Sequence, residues 1–283
     1  MTDSVIRSIE PALNRKPVSL RPLTGGCVAE VYRARFADGG DLVVKIDSGH
    51  DAKLDVEGFM LERLRDAGLR VPRVEHATPS LLAMEYIEND GRRSTDGEAK
   101  LGQVVAEFHS QKADRYGLER DTLIGSLDQP NGWSDDWAGF YAEQRIAVMA
   151  DRAERRDALP SGCRARLKRV CARMHELIPE PQSPALIHGD LWAGNILWHA
   201  GRQAALIDPA VYYGDPEIEL AFIDLMGGLG PAFWEAYREV RRIDDGFHAT
   251  RCALYQLYPL LVHAVLFGGG YGQSVDAIAR RLA

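Results

Sequence analysis

The amino-acid sequence predicts an α+β protein with two lobes, a small β-rich N-terminal lobe and a larger, mainly helical C-terminal lobe. Residues 27–46 alternate between apolar and polar side chains and are rich in β-forming residues, which is typical of strands. Apolar residues between 101 and 108 instead recur at the spacing of an amphipathic helix. The polar segment 88–98 separates the two patterns. We therefore expect the lobes to span residues 1–87 and 88–283.

Composition excludes several classes of protein. The chain has 283 residues, is 46% hydrophobic and carries a formal net charge of −7, which argues against a general binder of nucleic acid or anionic membranes. The N-terminus shows no secretory signal, and the apolar run 257–270 is too short to span a bilayer. Four widely spaced cysteines match no metal-binding pattern. We expect a cytoplasmic protein with reduced thiols that binds neither nucleic acid nor membrane.

The N-terminal strands carry a candidate lysine. "CVAEVYRARF" (27–36) and "DLVVKI" (41–46) flank a turn and predict a hairpin, with Lys45 on the same face as Val43. A lysine on a buried strand is costly unless an anion pairs with it. Twelve residues later, Glu57 lies on a predicted amphipathic helix and offers that carboxylate. The alternative is a surface lysine on an edge strand.

A glycine-rich turn precedes these strands. "TGGCVAEVYRA" places Gly25 and Gly26 where backbone N–H groups can approach phosphate oxygens closely. The full G-x-G-x-x-G pattern is missing, so an ordinary β-turn is the alternative reading of this stretch.

The stretch "ALIHGDLWAGNILW" (185–198) concentrates polar side chains on a predicted loop. "NILW" (195–198) and "AALID" (204–208) predict a short antiparallel hairpin that would bring Asn195 and Asp208 side by side. A carboxylate and a carboxamide oxygen together suit Mg2+, which takes few protein ligands. Asp190 lies in the loop that leads into this hairpin. Alternatively, Asp190 and Asn195 only cap turns.

The order of these parts predicts a phosphotransferase with a protein-kinase-like fold. Members of that class have the same order of parts, which is a glycine turn, a strand lysine, a helical glutamate, an extended hinge, H-x-D-x-x-x-x-N and a strand-ending aspartate. In this hypothesis Asp190 accepts the proton of the attacking hydroxyl, and Asn195 and Asp208 hold Mg2+. Lys45, positioned by Glu57, binds the phosphates of ATP beneath the glycine turn, and backbone groups of 85–87 (Glu85, Tyr86, Ile87) contact the adenine.

The sequence resembles the fructosamine kinase (ketosamine-3-kinase) family over nearly its whole length. The matching stretches are "GGCVAEVYR", "LIHGDLWAGNILW", "IDPAVYYGDPEIELAFIDLMGG" and "LYQLYPLLVHAVLFGGGY", together with the segment from Trp137 to Arg145. The resemblance implies phosphorylation of the 3-hydroxyl of a ketosamine, such as a ribulosamine, an erythrulosamine or a fructosamine, free or attached to a protein lysine. His-Gly-Asp and Asp-Pro-Ala replace the protein-kinase motifs, and no long activation segment follows. This favours a small-molecule or adduct kinase over a regulated protein kinase.

Four further residues are candidates for the substrate side. Trp192 and Tyr213 would form an apolar wall for the sugar adduct, or pack between loop and helix. Asp215 and Glu217, with Glu219, would meet the ammonium of the ketosamine, or cap the following helix. His188 is interpreted as a packed residue that steadies the loop, with a direct catalytic role as the alternative. The remaining histidines on apolar helix faces, including His109, are expected in the core.

Cys27 lies within the glycine turn, where amides and a lysine would favour its thiolate. A cysteine at this place recurs in the family that the chain resembles. The hypothesis is redox control of nucleotide binding, with either a monomer or a dimer that is disulfide-linked through Cys27. The alternative is a small residue in a turn.

Two other functions remain open at this point. An aminoglycoside- or choline-type phosphotransferase shares the H-G-D-x-x-x-x-N pattern, although the tryptophan after Asp-Leu and the "DPAVYYG" run count against it. A non-catalytic scaffold that binds nucleotide is the alternative from a different class.

Overall fold

The computed structural model describes residues 2–23, 29–47, 49, 52–179, 181 and 183–283. Its N-terminal part consists of two helices and a sheet. The helices are α1 (Thr2–Leu13) and α2 (Leu54–Asp66), and the strands are β1 (Pro17–Pro22), β2 (Glu30–Phe36), β3 (Asp41–Ile46), β4 (Val74–Thr78) and β5 (Leu81–Glu85). The predicted hairpin and helix are present. Helix α1 was not anticipated from the sequence pattern.

The five strands form one antiparallel sheet in the order β1-β2-β3-β5-β4. In β3, Val44 faces a small apolar cluster that includes Val5 and Ile9 of α1. Lys45 alternates to the other face, paired in register with Val31 of β2 and Leu82 of β5. Strand alternation therefore directs the lysine toward the face on which α2 packs.

Helix α2 packs closely on the sheet because of one glycine. A Cβ atom at Gly58 would lie 2.7 Å from the Cβ of Ala77, so only glycine permits this approach. The helix ends at Asp66, and Gly68 follows in the left-handed region at φ +94°. This close contact sets the position of Glu57 relative to β3.

The C-terminal part is mainly helical. Its helices are α3 (Thr95–His109), α4 (Trp137–Phe140), α5 (Val148–Arg155), α6 (Cys163–Ala172), α7 (Met174–Leu177), α8 (Glu217–Met226), α9 (Pro231–Val240), α10 (Cys252–Phe267) and α11 (Tyr271–Leu282). π-helical stretches at Tyr141–Ala147 and Phe247–Arg251 continue into α5 and α10.

Three two-stranded ladders interrupt these helices. They pair β6 (Thr122–Ile124) with β7 (Leu127–Gln129), β8 (Ala185–Ile187) with β11 (Tyr212–Gly214), and β9 (Ile196–His199) with β10 (Arg202–Leu206). The predicted β9–β10 hairpin is confirmed. Strands β6 and β7 were not anticipated from the sequence, because three-residue strands are too short to show alternation.

The two parts share one hydrophobic core. Buried residues of α2 and β5, such as Met60 and Met84, belong to the same cluster as those of the C-terminal helices. The boundary after residue 87 stays a prediction. No helix in the part of the chain that the structure describes is long and apolar enough to cross a membrane.

Candidate active site

The structure brings Lys45, Glu57 and Asp208 together. The Lys45 Nζ atom lies 2.7 Å from Oε1 of Glu57 and 2.6 Å from Oδ1 of Asp208. The side chains of Lys45 and Glu57 are 12% and 15% exposed, whereas that of Asp208 is 44% exposed. The strand lysine is therefore paired, as predicted, and its partner Asp208 lies on the solvent-accessible side of the site, the cleft.

Electrostatics keep this lysine charged. Burial works to lower the pKa of Lys45, but the attraction of Glu57 and Asp208 outweighs it and raises the pKa above its ordinary value. Burial raises the pKa of Glu57, and the contact with Lys45 offsets only part of this effect. Lys45 is thus held as a cation between two carboxyl groups.

The β9–β10 hairpin brings Asn195 next to Asp208. Leu206 pairs in register with Ile196, and the Ile207 amide donates to the Asn195 carbonyl at 3.0 Å. Asp208, the next residue, has a left-handed backbone at φ +52°, which aspartate and asparagine tolerate better than most residues. The hairpin that the sequence predicts therefore places both oxygen-bearing side chains at one end of the ladder.

Asp190 is held by Asn195. The Asn195 Nδ2 atom donates to the Asp190 carbonyl at 2.8 Å and to its Oδ2 atom at 2.9 Å. Burial, together with the charge of Asp208, raises the pKa of Asp190 well above its ordinary value, although the bond from Asn195 opposes this. The carboxyl group is thus oriented and made more basic, as a proton acceptor requires.

Asn195 and Asp208 fit a magnesium ion. Because Nδ2 of Asn195 is committed to Asp190, its Oδ1 atom remains for a cation, and Asp208 bonds Lys45 through Oδ1 and keeps Oδ2. Within the described ranges, no group of three or more His, Cys, Asp or Glu side chains could hold a metal. Mg2+ suits such a sparse set of hard oxygens, since it retains several waters.

Glu219 anchors the loop that carries Asp190. This fully buried carboxylate of α8 accepts the Gly189 amide at 2.6 Å and the His188 amide at 3.3 Å. Its Oε2 atom also lies 2.9 Å from His109 Nε2 of α3. Burial tends to raise the pKa of Glu219, but the hydrogen bond and charge of His109 exceed it and hold the pKa below its ordinary value.

His188 is packed beneath the loop. Its Nδ1 atom lies 3.4 Å from the Asp190 amide, and its ring is fully buried. Burial lowers its pKa, although the charges of Glu219 and Asp208 oppose this effect. The neighbouring Gly189 has φ +84°, and a Cβ atom there would lie 2.0 Å from the Ala210 carbonyl. These contacts support the interpretation of His188 as a residue that steadies the loop.

The predicted hinge follows β5. Glu85 forms a two-pronged ion pair with Arg70, at 2.7 and 2.9 Å. The guanidinium of Arg33 on β2 lies 3.8 Å from the ring centroid of Tyr86 and donates to its hydroxyl at 3.0 Å. Side chains thus fix this segment, which begins where Glu85 of β5 pairs in register with Leu42 of β3.

Two aromatic substrate candidates occupy different environments. Trp192 directly precedes the 3-10 turn Ala193–Asn195, and a Cβ atom at Gly194 would lie 2.4 Å from its ring. Tyr213 instead pairs with Leu186 and stacks on the exposed Trp133, with ring centroids 6.1 Å apart. Trp192 therefore lies in the same loop as Asp190, whereas Tyr213 lies on β11 beyond this loop.

Asp215 and Glu217 are engaged inside the C-terminal part. Asp215 accepts the Tyr255 hydroxyl at 3.0 Å and the Glu217 amide at 2.9 Å. Glu217 bonds Arg251 through both oxygens, at 2.6 and 2.9 Å. Both carboxylates are buried, and Asp215 caps the start of α8 as the alternative predicted, whereas Glu217 is held in an ion pair with Arg251.

The glycine turn cannot be placed. Gly25, Gly26 and Cys27 lie outside the described residues.

Sequence reasoning missed several residues that support this site. His109 was expected as a plain core residue, and it is buried, but it bonds Glu219. Thr122 and Gln129 on β6 and β7 bond the segment after Asp208. The sequence shows that Thr122 and Gln129 are polar, but it does not show that they are buried. A three-residue strand is too short for its pattern to reveal which face is buried.

Comparisons with known proteins agree on one family. The model of the fructosamine kinase family matches residues 1–283. A probable ketoamine kinase of Synechocystis is 34% identical over 270 residues, covering 92% of this chain and 89% of that protein. A chloroplastic protein-ribulosamine 3-kinase of Arabidopsis thaliana is 32% identical over 268 residues, covering 90% and 79%.

Solved structures show the same fold. One assigned to the fructosamine-3-kinases, from Thermobifida fusca, superposes with a TM-score of 0.89 at 33% identity and covers 98% of both chains. An aminoglycoside phosphotransferase in complex with streptomycin and ATP superposes with a TM-score of 0.65 at 15% identity, covering 99% of this chain and 96% of that one. At that identity the likeness concerns the fold alone.

Proposed function

This chain belongs to the fructosamine kinase family, and from that premise we propose that it transfers the γ-phosphoryl group of ATP to the 3-hydroxyl of a ketosamine, with Mg2+ as the metal ion. The observation that carries the proposal is one continuous set of contacts. Lys45 bonds Asp208, the backbone of Asn195 pairs beside Asp208, and the Asn195 side chain bonds Asp190. Phosphate, metal and hydroxyl groups each have a matching partner in this set.

Asp190 acts as the proton acceptor in this proposal. Its raised pKa brings its basicity closer to what removal of a hydroxyl proton needs, and Asn195 fixes its direction. The sugar hydroxyl would donate its proton to the carboxylate as its oxygen bonds the γ-phosphorus and the bond from that phosphorus to the bridging oxygen breaks, which releases ADP. Glu219 holds the amides just before Asp190, which limits movement of the base.

Lys45 binds the phosphate groups of ATP. An ammonium group has three N–H donors, of which Glu57 and Asp208 take two, so one remains for a phosphate oxygen. Asn195 Oδ1 and Asp208 Oδ2 would hold Mg2+, which when bound neutralises charge on the phosphates. Gly25 and Gly26 would cover the triphosphate, and the backbone of Glu85 to Ile87 would contact the adenine.

The acceptor is proposed to be a ribulosamine, an erythrulosamine or a fructosamine, free or on a protein lysine. Trp192 adjoins the reacting loop and is the proposed apolar contact for the sugar adduct, whereas Tyr213 would lie farther out. We assign Asp215 and Glu217 structural roles, since Tyr255 and Arg251 already bond their oxygens.

The proposed redox control rests on Cys27. Burial raises the pKa of Cys163 and Cys252 to about 12 and that of Cys171 to about 11, so these three thiols ionise poorly. A disulfide-linked dimer would therefore form through Cys27 in the otherwise reduced, cytoplasmic protein. Non-reducing electrophoresis after mild oxidation tests this, with loss of the dimer in Cys27→Ser and retention in Cys171→Ser.

Substrate turnover tests the main proposal. ATP consumption would be followed with ribulose-, erythrulose- and fructose-modified lysine, with choline and an aminoglycoside as rival acceptors, and the product examined for a 3-phosphate. Turnover of a ketosamine by the wild type and its loss in Asp190→Asn would support the proposal. Turnover of only the rival acceptors, or of none of them, would reject it.

A further inference from the structure

We infer that Thr122 and Gln129 are positioning residues that hold the segment 208–211, and with it Asp208, in a single arrangement. The inference rests on the proposed function only in taking Asp208 as a metal ligand. Its basis is a buried set of neutral hydrogen bonds behind the cleft, contributed by the β6–β7 hairpin.

The hairpin bonds two successive carbonyl groups of the segment. The Thr122 Oγ1 atom donates to the Val211 carbonyl at 3.1 Å, and Gln129 Nε2 donates to the Ala210 carbonyl at 3.0 Å. Thr122 and Gln129 are themselves paired across the hairpin. Both side chains are essentially inaccessible to solvent, so water cannot replace these bonds.

Each of these side chains has its polar groups fully engaged. Thr122 Oγ1 also accepts from Gln129 Nε2 at 2.9 Å and from Asn131 Nδ2 at 2.7 Å, which uses one donor and two acceptor positions. Gln129 Oε1 accepts the Tyr258 hydroxyl at 2.7 Å. Any rotation of either side chain would leave a buried polar atom unpaired, so the network favours one orientation.

Arg145 closes the far end of the network. Its Nη2 atom donates to Asn131 Oδ1 at 2.6 Å, and its guanidinium lies 3.9 Å from the ring centroid of Tyr212. Within the described ranges no carboxylate pairs with this buried cation, which is instead bonded by carbonyl oxygens of Pro130 and Gln144. The positive charge of Arg145 thus stabilises the oxygen atoms that it contacts. It does so without a carboxylate partner that would compete with Asp208 for a cation.

The amides of the same segment are bonded from the other side. The Ala210 amide donates to the His188 carbonyl at 2.7 Å, and the Val211 amide lies 3.4 Å from the Met60 sulfur of α2. Both N–H and C=O groups of these two residues are therefore engaged. The segment after Asp208 is tied to the catalytic loop, to α2 and to the β6–β7 hairpin at once.

This arrangement has a chemical consequence. Neutral donors to carbonyl groups fix the backbone without competing with phosphate or cation for the charged groups in the cleft. Because a misplacement of about 1 Å in a phosphoryl-transfer site can cost roughly 100-fold in rate, a fixed Asp208 matters. A chain without a long activation segment then needs no separate step to bring its metal ligand into place.

The test uses a pair of substitutions at one position. Thr122→Val keeps the shape and removes the hydroxyl, whereas Thr122→Ser keeps the hydroxyl. Thr78→Val is the matched control, because it removes a hydroxyl bonded to Leu81 in the N-terminal part. Amide hydrogen exchange of residues 207–212 would be measured in the metal- and nucleotide-free protein, and Mn2+ binding in the presence of ADP by electron paramagnetic resonance.

Loss of one such buried bond should accelerate exchange at Ala210 and Val211 roughly tenfold and weaken Mn2+ binding to a similar degree. Thr122→Ser and Thr78→Val should behave like the wild type in this segment. If Thr122→Val fails to fold, Gln129→Met removes the bond to Ala210 and should give the same result.

An unchanged exchange rate of residues 207–212 in Thr122→Val would overturn the inference. An equal increase over the whole chain would overturn it too, because it would indicate a general contribution to stability. Failure of the wild type to bind Mn2+ with ADP would instead reject the proposed function. In that case the exchange comparison between Thr122→Val and Thr122→Ser still decides the inference, because it needs no ligand.

Discussion

Two regions that meet at Asp208 are built from opposite kinds of interaction. On the cleft side, Lys45 bonds Glu57 and Asp208 as ion pairs, and Asp208 is 44% exposed. Behind it, Thr122 and Gln129 bond the backbone through neutral hydrogen bonds, and both are buried.

The difference reflects what each region must do. An ion pair at the edge of a cleft can exchange one partner for a phosphate or a cation, since Asp208 remains accessible to solvent and ligand. Neutral buried bonds neither titrate nor respond to salt, so they hold the backbone under any condition in which the protein is folded. Charge is placed where the reaction needs it, and neutral bonds where only geometry matters.

The largest effect is expected at Asp190. Asp190→Asn preserves the shape but removes the proton acceptor, so kcat should fall by roughly 100- to 10,000-fold with little change in KM for ATP. Steady-state kinetics on the best ketosamine would measure this. Asp135→Asn, at a side chain that is 79% exposed, is the control and should retain wild-type rates. Equal loss in both variants would contradict the assigned role.

The second-largest effect is expected at Asp208. Asp208→Asn keeps a side chain that tolerates the left-handed backbone at φ +52°, but it removes the negative charge that would face Mg2+. We expect kcat to drop by roughly 100- to 1,000-fold and the half-saturating Mg2+ concentration to rise. A Mg2+ titration of the initial rate separates the two effects. Wild-type Mg2+ dependence in this variant would remove Asp208 from the metal site.

The pH dependence should show opposite signs for activity and stability. Because the pKa of Asp190 is raised, protonation removes the base as pH falls through it, and kcat should then drop about tenfold per pH unit. Stability behaves in reverse. A carboxyl with a raised folded pKa costs folding free energy once ionised, so its penalty appears as pH rises from its ordinary value through the folded value.

Asp190→Asn isolates the effect of this carboxyl group on the free energy of unfolding. The variant should be more stable than the wild type at neutral pH, and the difference should shrink as pH falls toward the ordinary range of an aspartate. Urea unfolding of both proteins over that pH range measures it. A variant that is less stable than the wild type at every pH would show that the bond from Asn195, and not the burial of charge, dominates at this position.

The smallest effect is expected at Glu57. Glu57→Gln keeps a hydrogen bond to Lys45 but removes one of its two anionic partners. KM for ATP should rise by only several-fold, because Lys45 remains held by Asp208 and the new amide oxygen still accepts a hydrogen bond from it. Glu62→Gln, at an exposed position of the same helix, is the matched control. A loss as large as that of Asp190→Asn would place Glu57 in the chemistry itself.

Much of the site could be predicted from local sequence. The β9–β10 hairpin follows from two short apolar runs around a turn, and it alone places Asn195 next to Asp208. Strand alternation puts Lys45 on the face toward α2, and helical spacing puts Glu57 on that helix. These relations depend on contacts within one hairpin or on the period of one element, which sequence patterns encode directly.

The supports of the site could not be predicted in this way. Glu219 follows Asp190 by 29 positions, yet it bonds the amides of the loop, and His109 reaches it from α3. Thr122 and Gln129 lie on three-residue strands whose burial depends on helices far along the chain. A buried polar residue and a surface one look alike in a sequence, because only packing decides whether water is excluded.

The amino-acid sequence alone was enough to assign the family, to give the order of the candidate residues, and to place Asn195 and Asp208 on one hairpin. The tertiary structure decided which acidic residues face the cleft. Asp208 does so, whereas Asp215, Glu217 and Glu219 turn inward to Tyr255, Arg251 and the catalytic loop. The physical reason is that residue type and spacing set what a side chain can do, while packing of distant elements sets the solvent and the partners on which its pKa and its role depend.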